Sequence, residues 1–313
     1  MKLQELKLSV DALQLGVARE TSSALSTELN ELTEAGGKKF RPGMLFLMGH
    51  LFHLKDSLLA TYARAVELTH LASLVHDDVI DESNTRRNHP TINSLKNNTT
   101  AILAGDYLLA TVMRELAQAN NTEILIDLTT AIRDLADGEW LQFDLKKKEE
   151  VKFQDLEEIA IKKTGSLIRW CCTTPAKLAK HDDIETMAYL GERIGLIFQM
   201  ADDIVDGLTT SGKPAFLDIL NGQINFVTLK LIEIYPELAK SVYRLKADPT
   251  QAIPWSKEQY QKAIEAVDTS INSERDKITS IFSGLCQKNN QPELLDIFEM
   301  MIAKIQSNYA GAL

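Results

Sequence analysis

Residues 58–81 read LLATYARAVELTHLASLVHDDVID. Leu58, Tyr62, Ala65, Leu68, Leu71 and Val75 recur three or four positions apart, the spacing that lines one face of an α-helix. The stretch closes on the frame Asp77-Asp78-x-x-Asp81. Residues 184–206, IETMAYLGERIGLIFQMADDIVD, repeat the plan and close on Asp202-Asp203-x-x-Asp206. Similar apolar spacing runs through 91–120, 122–146 and 156–174. Turn-forming residues fall between such stretches: Gly36-Gly37, Pro42, Pro90, Pro175, Gly212–Pro214, Pro236, Pro249, Pro254 and Pro292. No alternating run flanked by a tight hairpin turn is present, which argues against strand-rich and alternating β/α folds. The pattern predicts an all-α chain: one domain over 1–313, a single large helical bundle of ten or more helices.

The chain has 313 residues, 44% of them apolar, and its 34 Lys and Arg against 44 Asp and Glu leave a net charge of −10. That balance argues against a nucleic-acid partner, because phosphate backbones demand clustered cations. No apolar run is long enough to cross a bilayer. Residues 1–15 mix Lys, Glu and Asp with Leu, unlike a signal peptide. Cys171, Cys172 and Cys286 cannot all pair and none sits in a CxxC frame, so a reducing, cytoplasmic setting is expected; the adjacent Cys171 and Cys172 read as small buried apolar residues. His50, His53 and His89 read as structural or surface residues. Trp140, Trp170 and Trp255 read as packing residues rather than a binding cage.

On a helix, Asp77 and Asp81 stand one turn apart on one face, as do Asp202 and Asp206. Like charges so placed repel, and apolar surroundings add a desolvation cost. A divalent cation relieves both, and Mg²⁺ favours a few carboxylates completed by water and phosphate oxygens. A single acidic cluster is ordinarily a solvated helix end. Two copies, each closing a long apolar helix, call for a shared chemical reason. Cations for an anionic substrate are available in Gly36-Gly37-Lys38-Lys39-Phe40-Arg41-Pro42, in Arg86-Arg87, in Lys163-Thr164-Gly165 and in Gly212-Lys213-Pro214.

This ordered set resembles the trans-polyprenyl diphosphate synthase family, long-chain type. The resemblance rests on residues 36–42, His70, Asp77–Asp81 with Arg86-Arg87, Lys163-Thr164, Phe198-Gln199 with Asp202–Asp206, and 212–214 with Asp218. It covers roughly 36–222. It implies an isoprenoid synthase-like fold, the helical bundle set around a deep central cavity, and an Mg²⁺-dependent prenyltransferase that condenses an allylic diphosphate with isopentenyl diphosphate, head to tail. By resemblance, Asp77, Asp81 and Asp202 ligate the metal, about three Mg²⁺ per active site. Asp78, Asp203 and Asp206 act directly or through metal-bound water. Arg86, Lys163 and Lys213 hold the allylic diphosphate, and Lys38, Arg41, His70 and Arg87 hold the isopentenyl diphosphate. Thr164 and Gln199 flank the reacting carbons.

The small residues Ala72 and Ser73, five and four positions before Asp77, imply a product longer than farnesyl diphosphate, about six to eight isoprene units, as for a quinone side chain. A homodimer is implied, or a catalytic subunit with a small partner, with a product handed to the membrane. A geranylgeranyl synthase is the shorter-chain alternative. Two departures stand out: Asn88 follows Arg86-Arg87 where the family commonly has Gly, and Gly222–Val227 lacks the family's Lys and Pro. A His-Asp phosphohydrolase would leave the second acidic frame unexplained. A terpene cyclase would not need the Lys38/Arg41 site.

Overall fold

The computed structural model describes residues 3–16, 39–86, 89–208, 215–307 and Tyr309. The described chain is almost wholly helical and separates into two compact units: Met1–Ile132 with Trp170–Glu185, and Arg133–Arg169 with Thr186–Leu313.

In the first unit, α1 (Leu3–Asp11) packs on α2 (Phe40–Leu51), and α2 packs on α3 (Asp56–Ile80). A two-residue ladder, β1 (Thr85–Arg86) with β2 (His89–Pro90), is antiparallel. It is followed by α4 (Ile92–Leu95), α5 (Asn98–Gln118) and the start of α6 (Thr122–Leu145). Met44 to Met48 are all buried, so α2 is enclosed on every side. Ala101, Ala104, Leu108 and Val112 carry the buried face of α5, whose start is capped by Asn97 Oδ1 accepting from Thr100 N at 2.8 Å. On α3 the apolar stripe is shifted by one residue from its expected edge: Leu58 is exposed and Leu59 is fully buried. The segment 166–178 returns Trp170 to this unit, where its indole N–H donates to Ile124 O at 3.2 Å and its ring lies 6.4 Å from Tyr62.

The second unit holds the end of α6, then α7 (Phe153–Ala160), a π-helical turn (Ile161–Gly165) and the first residues of α8 (Ser166–Leu178). These three run on without a break. Pro175, expected as punctuation, lies inside α8. A proline deletes one hydrogen bond and bends a helix, but packing on both sides can carry the helix through. Then come α9 (Ile184–Asp206), α10 (Leu217–Leu220), α11 (Phe226–Ile234), a 3₁₀ turn (Pro236–Leu238), α12 (Ala239–Ala247), α13 (Lys257–Lys288) and α14 (Leu294–Gln306). α11 packs on α13, and α13 on α14, where the Phe282 and Phe298 rings stack 4.2 Å apart. A Cβ on Gly195 would stand 2.3 Å from Gly165 Cα, so α9 meets the π-turn backbone to backbone. Arg193, in the middle of α9, donates to Glu157 of α7 at 2.6 Å and to Glu274 of α13 at 2.8 Å. One guanidinium thereby joins three helices. The charged run Lys146–Glu150 that follows α6 is tied down at its start, where the buried Lys246 ammonium donates to the carbonyls of Leu145 and Lys148.

Candidate active site

The acids of the first frame divide by helix face. Asp77 is half-buried and Asp81, the C-cap that follows α3, is exposed. Asp78, about 100° further round the helix, is only 6% exposed. Its Oδ1 accepts from Nε and a terminal nitrogen of Arg86, both at 2.9 Å, and its carbonyl accepts from Asn93 Nδ2. Asp78 is therefore tied to the strand that carries Arg86, while Asp77 and Asp81 stand together one turn apart. In the same unit, Arg41 lies in the first turn of α2 and His70 is half-buried on α3. Ala72 is fully buried. Ser73 is half-buried and donates through Oγ to His70 O at 2.8 Å. Lys38, Arg87 and Lys213 lie outside the described residues, as does Asn88.

The second frame divides in the same way. Asp202 is exposed and Asp206 half-buried, one turn apart. Asp203 is 4% exposed, and both its oxygens are engaged: Oδ1 accepts from Gln199 Nε2 at 2.9 Å, Oδ2 from Phe226 N at 2.8 Å. Thr164 Oγ1 donates to Gln199 Oε1 at 3.2 Å. A chain of bonds thus runs from the π-turn through Gln199 and Asp203 to the start of α11. Asp206 accepts from Asp218 N at 3.3 and 3.4 Å, and Asp218 accepts from Asn225 Nδ2 at 2.9 Å. Burial, then the neighbouring Asp218, push the Asp203 carboxyl well above the usual range and Asp206 up to about 7. Three crowded, partly desolvated acids are costly alone and suited to a divalent cation.

Lys163 leaves the π-turn toward α6. Its Nζ lies 2.5 Å from Glu139 Oε1 and donates to Gln142 Oε1 at 2.9 Å. Gln142 Nε2 in turn donates to Gln223 Oε1 at 2.6 Å. Gln223, the departure from the expected lysine, thus orients the amide that holds Lys163. The missing proline is also accounted for. Asn225 caps α11, its Oδ1 accepting from Thr228 N at 2.9 Å while Thr228 Oγ1 accepts from Asn225 N at 2.8 Å. Glu139, Gln142 and Asn225 carry no motif of their own, and only the fold reveals them. The cysteines are buried, and desolvation pushes the Cys171 and Cys172 thiols well up, so neither is a nucleophile.

Among the described residues no three His, Cys, Asp or Glu side chains form a ready-made metal cage. Mg²⁺ characteristically takes one or two carboxylates and fills the rest of its shell with water and phosphate oxygens. The paired acids fit that habit.

Residues 22–267 match the pattern described as polyprenyl synthetase. A prenyl transferase of Synechocystis is 38% identical over 249 residues, covering 77% of each chain. The mitochondrial solanesyl-diphosphate synthase 1 of rice is 35% identical over 263 residues, 77% of this chain and 61% of that one. Among solved structures, a polyprenyl synthase from Caulobacter crescentus, complexed with calcium and isoprenyl diphosphate, superposes with a TM-score of 0.78 at 26% identity. The superposition covers 97% of this chain and 95% of that one. The chain belongs to the polyprenyl synthetase family and is a trans-prenyltransferase.

Proposed function

We propose that this chain condenses an allylic diphosphate such as farnesyl diphosphate with isopentenyl diphosphate, head to tail, to an all-trans product of about C30–C40. The observation that carries the proposal is the twofold division of the acids. In each Asp-Asp-x-x-Asp frame the first and last acids share one helix face, one turn apart, while the second Asp is buried and spent on fixing an arginine or the local backbone. Asp77, Asp81 and Asp202, with Asp206, would hold Mg²⁺. When bound, Mg²⁺ supplies charge stabilisation for the departing diphosphate.

The remaining work falls to the chain's own groups. Lys163, steadied by Glu139 and Gln142, meets the allylic diphosphate, together with Arg86 and Lys213. Arg41 and His70, with Lys38 and Arg87, hold the isopentenyl diphosphate, so that its double bond faces the allylic carbon. Thr164 and Gln199 are fixed to each other and present oxygen dipoles where positive charge develops at the reacting carbons. The proton lost from the new carbon skeleton leaves with the released diphosphate. Small side chains at Ala72 and Ser73 let a growing chain pass, in keeping with a relative named for solanesyl diphosphate. A quinone side chain is the use that product length suits. Exposed Ile102, Leu103 and Met113 on α5 support self-association as a homodimer. No helix among the described residues is long and apolar enough to cross a membrane. The three buried free thiols suit a reducing, cytoplasmic setting.

The test is an assay of the purified chain with farnesyl diphosphate, isopentenyl diphosphate and Mg²⁺, with chromatography of the dephosphorylated products. Products of six to eight isoprene units are expected, shortened in Ser73→Phe. No turnover, alone or with a small partner subunit, would overturn the proposal.

A further inference from the structure

Tyr260 lies in the first turns of α13, downstream of every recognised motif. Its place is fixed by the cap of that helix. Ser256 Oγ accepts from Gln259 N at 3.2 Å, and Gln259 Oε1 accepts from Ser256 N at 2.8 Å. Its ring stacks on Trp255 at 5.6 Å and meets Phe216 edge-on at 4.9 Å. Phe216 itself holds a left-handed backbone, φ 66° and ψ 32°, and its N–H donates to Asp206 O at 2.9 Å. A bulky residue keeps that conformation only when its surroundings enforce it. Here the two aromatic rings do so. The trio therefore clamps the backbone that leaves the second acidic frame.

The hydroxyl end of Tyr260 is the unexplained part. It occupies the space that a Cβ on Gly207 would need, 2.5 Å away, directly after Asp206. The residue is only 5% exposed, and its hydroxyl has no hydrogen-bond partner among the described residues. After burial, the charges that act on that hydroxyl are those of Asp206, Asp203 and Asp218. A buried O–H left unpaired costs about 1–3 kcal/mol, and native folds rarely leave such a group without a use. Asp203 has both oxygens taken, as described. Asp206 is held by backbone N–H groups alone, the long bonds from Asp218 N and a contact from Leu217, and a small rotation of its carboxylate, or one bridging water, would bring it to the phenol.

We infer that Tyr260 is a positioning residue of the second acidic frame, its hydroxyl donating to the Asp206 carboxylate and setting its orientation for a divalent cation. This rests on the reading of that frame as a cation site. Donors behind metal-binding side chains are typically worth about 10–100-fold in metal affinity. Tyr260→Phe removes the donor and keeps the ring that packs on Trp255 and Phe216.

The measurement is Mn²⁺ binding by electron paramagnetic resonance in the presence of inorganic pyrophosphate, with thermal melting alongside. Tyr260→Phe is expected to bind Mn²⁺ about tenfold more weakly and to melt close to the parent. Trp255→Phe alters the same ring cluster but keeps the hydroxyl, and is expected to retain the affinity. Unchanged Mn²⁺ affinity in Tyr260→Phe, or equal loss in both variants, overturns the inference. Asp202→Asn separates the two readings. If that variant also binds like the parent, the cation reading of the frame falls, and the role of Tyr260 with it. If only Tyr260→Phe is silent, the cation reading stands.

Discussion

Lys163 is the residue whose setting departs furthest from what its motif suggests. A lysine reaching for diphosphate is expected to be solvated; this one is gripped by Glu139 and by the Gln142 amide, which Gln223 holds in orientation. A lysine at 223 would compete for Gln142 Oε1 and turn the amide's N–H groups toward Lys163. Neutral Gln223 is thus consistent with a single fixed cation. Gln142→Leu removes the grip, and a bond to a charged group is worth about 1.5–3 kcal/mol. The KM for the allylic diphosphate is expected to rise about tenfold, with kcat less affected, as steady-state kinetics at saturating isopentenyl diphosphate would show. A KM equal to that of the parent would mean that Lys163 needs no such support. The acids at 77, 81, 202 and 206 are legible from spacing alone, because period 3.6 puts i and i+4 together. The separate duties of Asp78 and Asp203 are not legible, because their partners Arg86 and Phe226 come from elements that sequence periodicity does not bring near.

Among elements, α9 carries the most demands. It closes the second acidic frame, meets the π-turn at Gly195 and is pinned by Arg193 to α7 and α13. Arg193 and Glu274 are both largely buried, with side chains 15% and 12% exposed. Burial alone raises the Glu274 carboxyl, but Arg193 and Lys277 outweigh it and hold it below its ordinary 4.5. A depressed acid contributes stability above its unfolded pKa and loses it as pH falls through the folded value. Glu274→Gln should therefore cost about 1.5–3 kcal/mol at neutral pH, and the gap to the parent should close below about pH 4.5. Urea unfolding at pH 7 and pH 4 measures both. A gap independent of pH would show that shape, not charge, sets the cost. The helix itself could be read from its apolar spacing. The role of Arg193 could not, since a lone arginine on a helix face carries no pattern.

For the whole molecule, one acidic frame lies in each compact unit. If both serve one reaction, their losses should not add, as with groups that act together in catalysis. Asp77→Asn and Asp202→Asn are each expected to lower kcat/KM by about 10³-fold or more, and the double variant by little beyond the worse single. Full additivity would mean independent roles. Melting temperatures should hold or rise slightly, since each change removes a repelling charge. The helical class, the long helices and the order of motifs were all legible, because each depends on local spacing. Less was legible after residue 222. There the packing of α11, α13 and α14 depends on buried faces without chemical signatures, and Tyr260 and Trp255 look like ordinary core.

The π-turn at 161–165 has one more consequence. It is a single additional residue wound into an otherwise continuous helix, and one residue shifts phase by about 100° and 1.5 Å. Upstream of it, Glu157 meets Arg193 and Phe153 lies 5.4 Å from Phe226; downstream, in the same unit, Arg169 donates to Glu192 of α9 at 3.0 Å. Without the extra residue, the two halves of the helix would be locked to one angular setting and could not satisfy both sets of neighbours. The turn acts as a phase adjuster, and Lys163 and Thr164 sit at the point of adjustment, where consecutive side chains can address α6 and α9 separately.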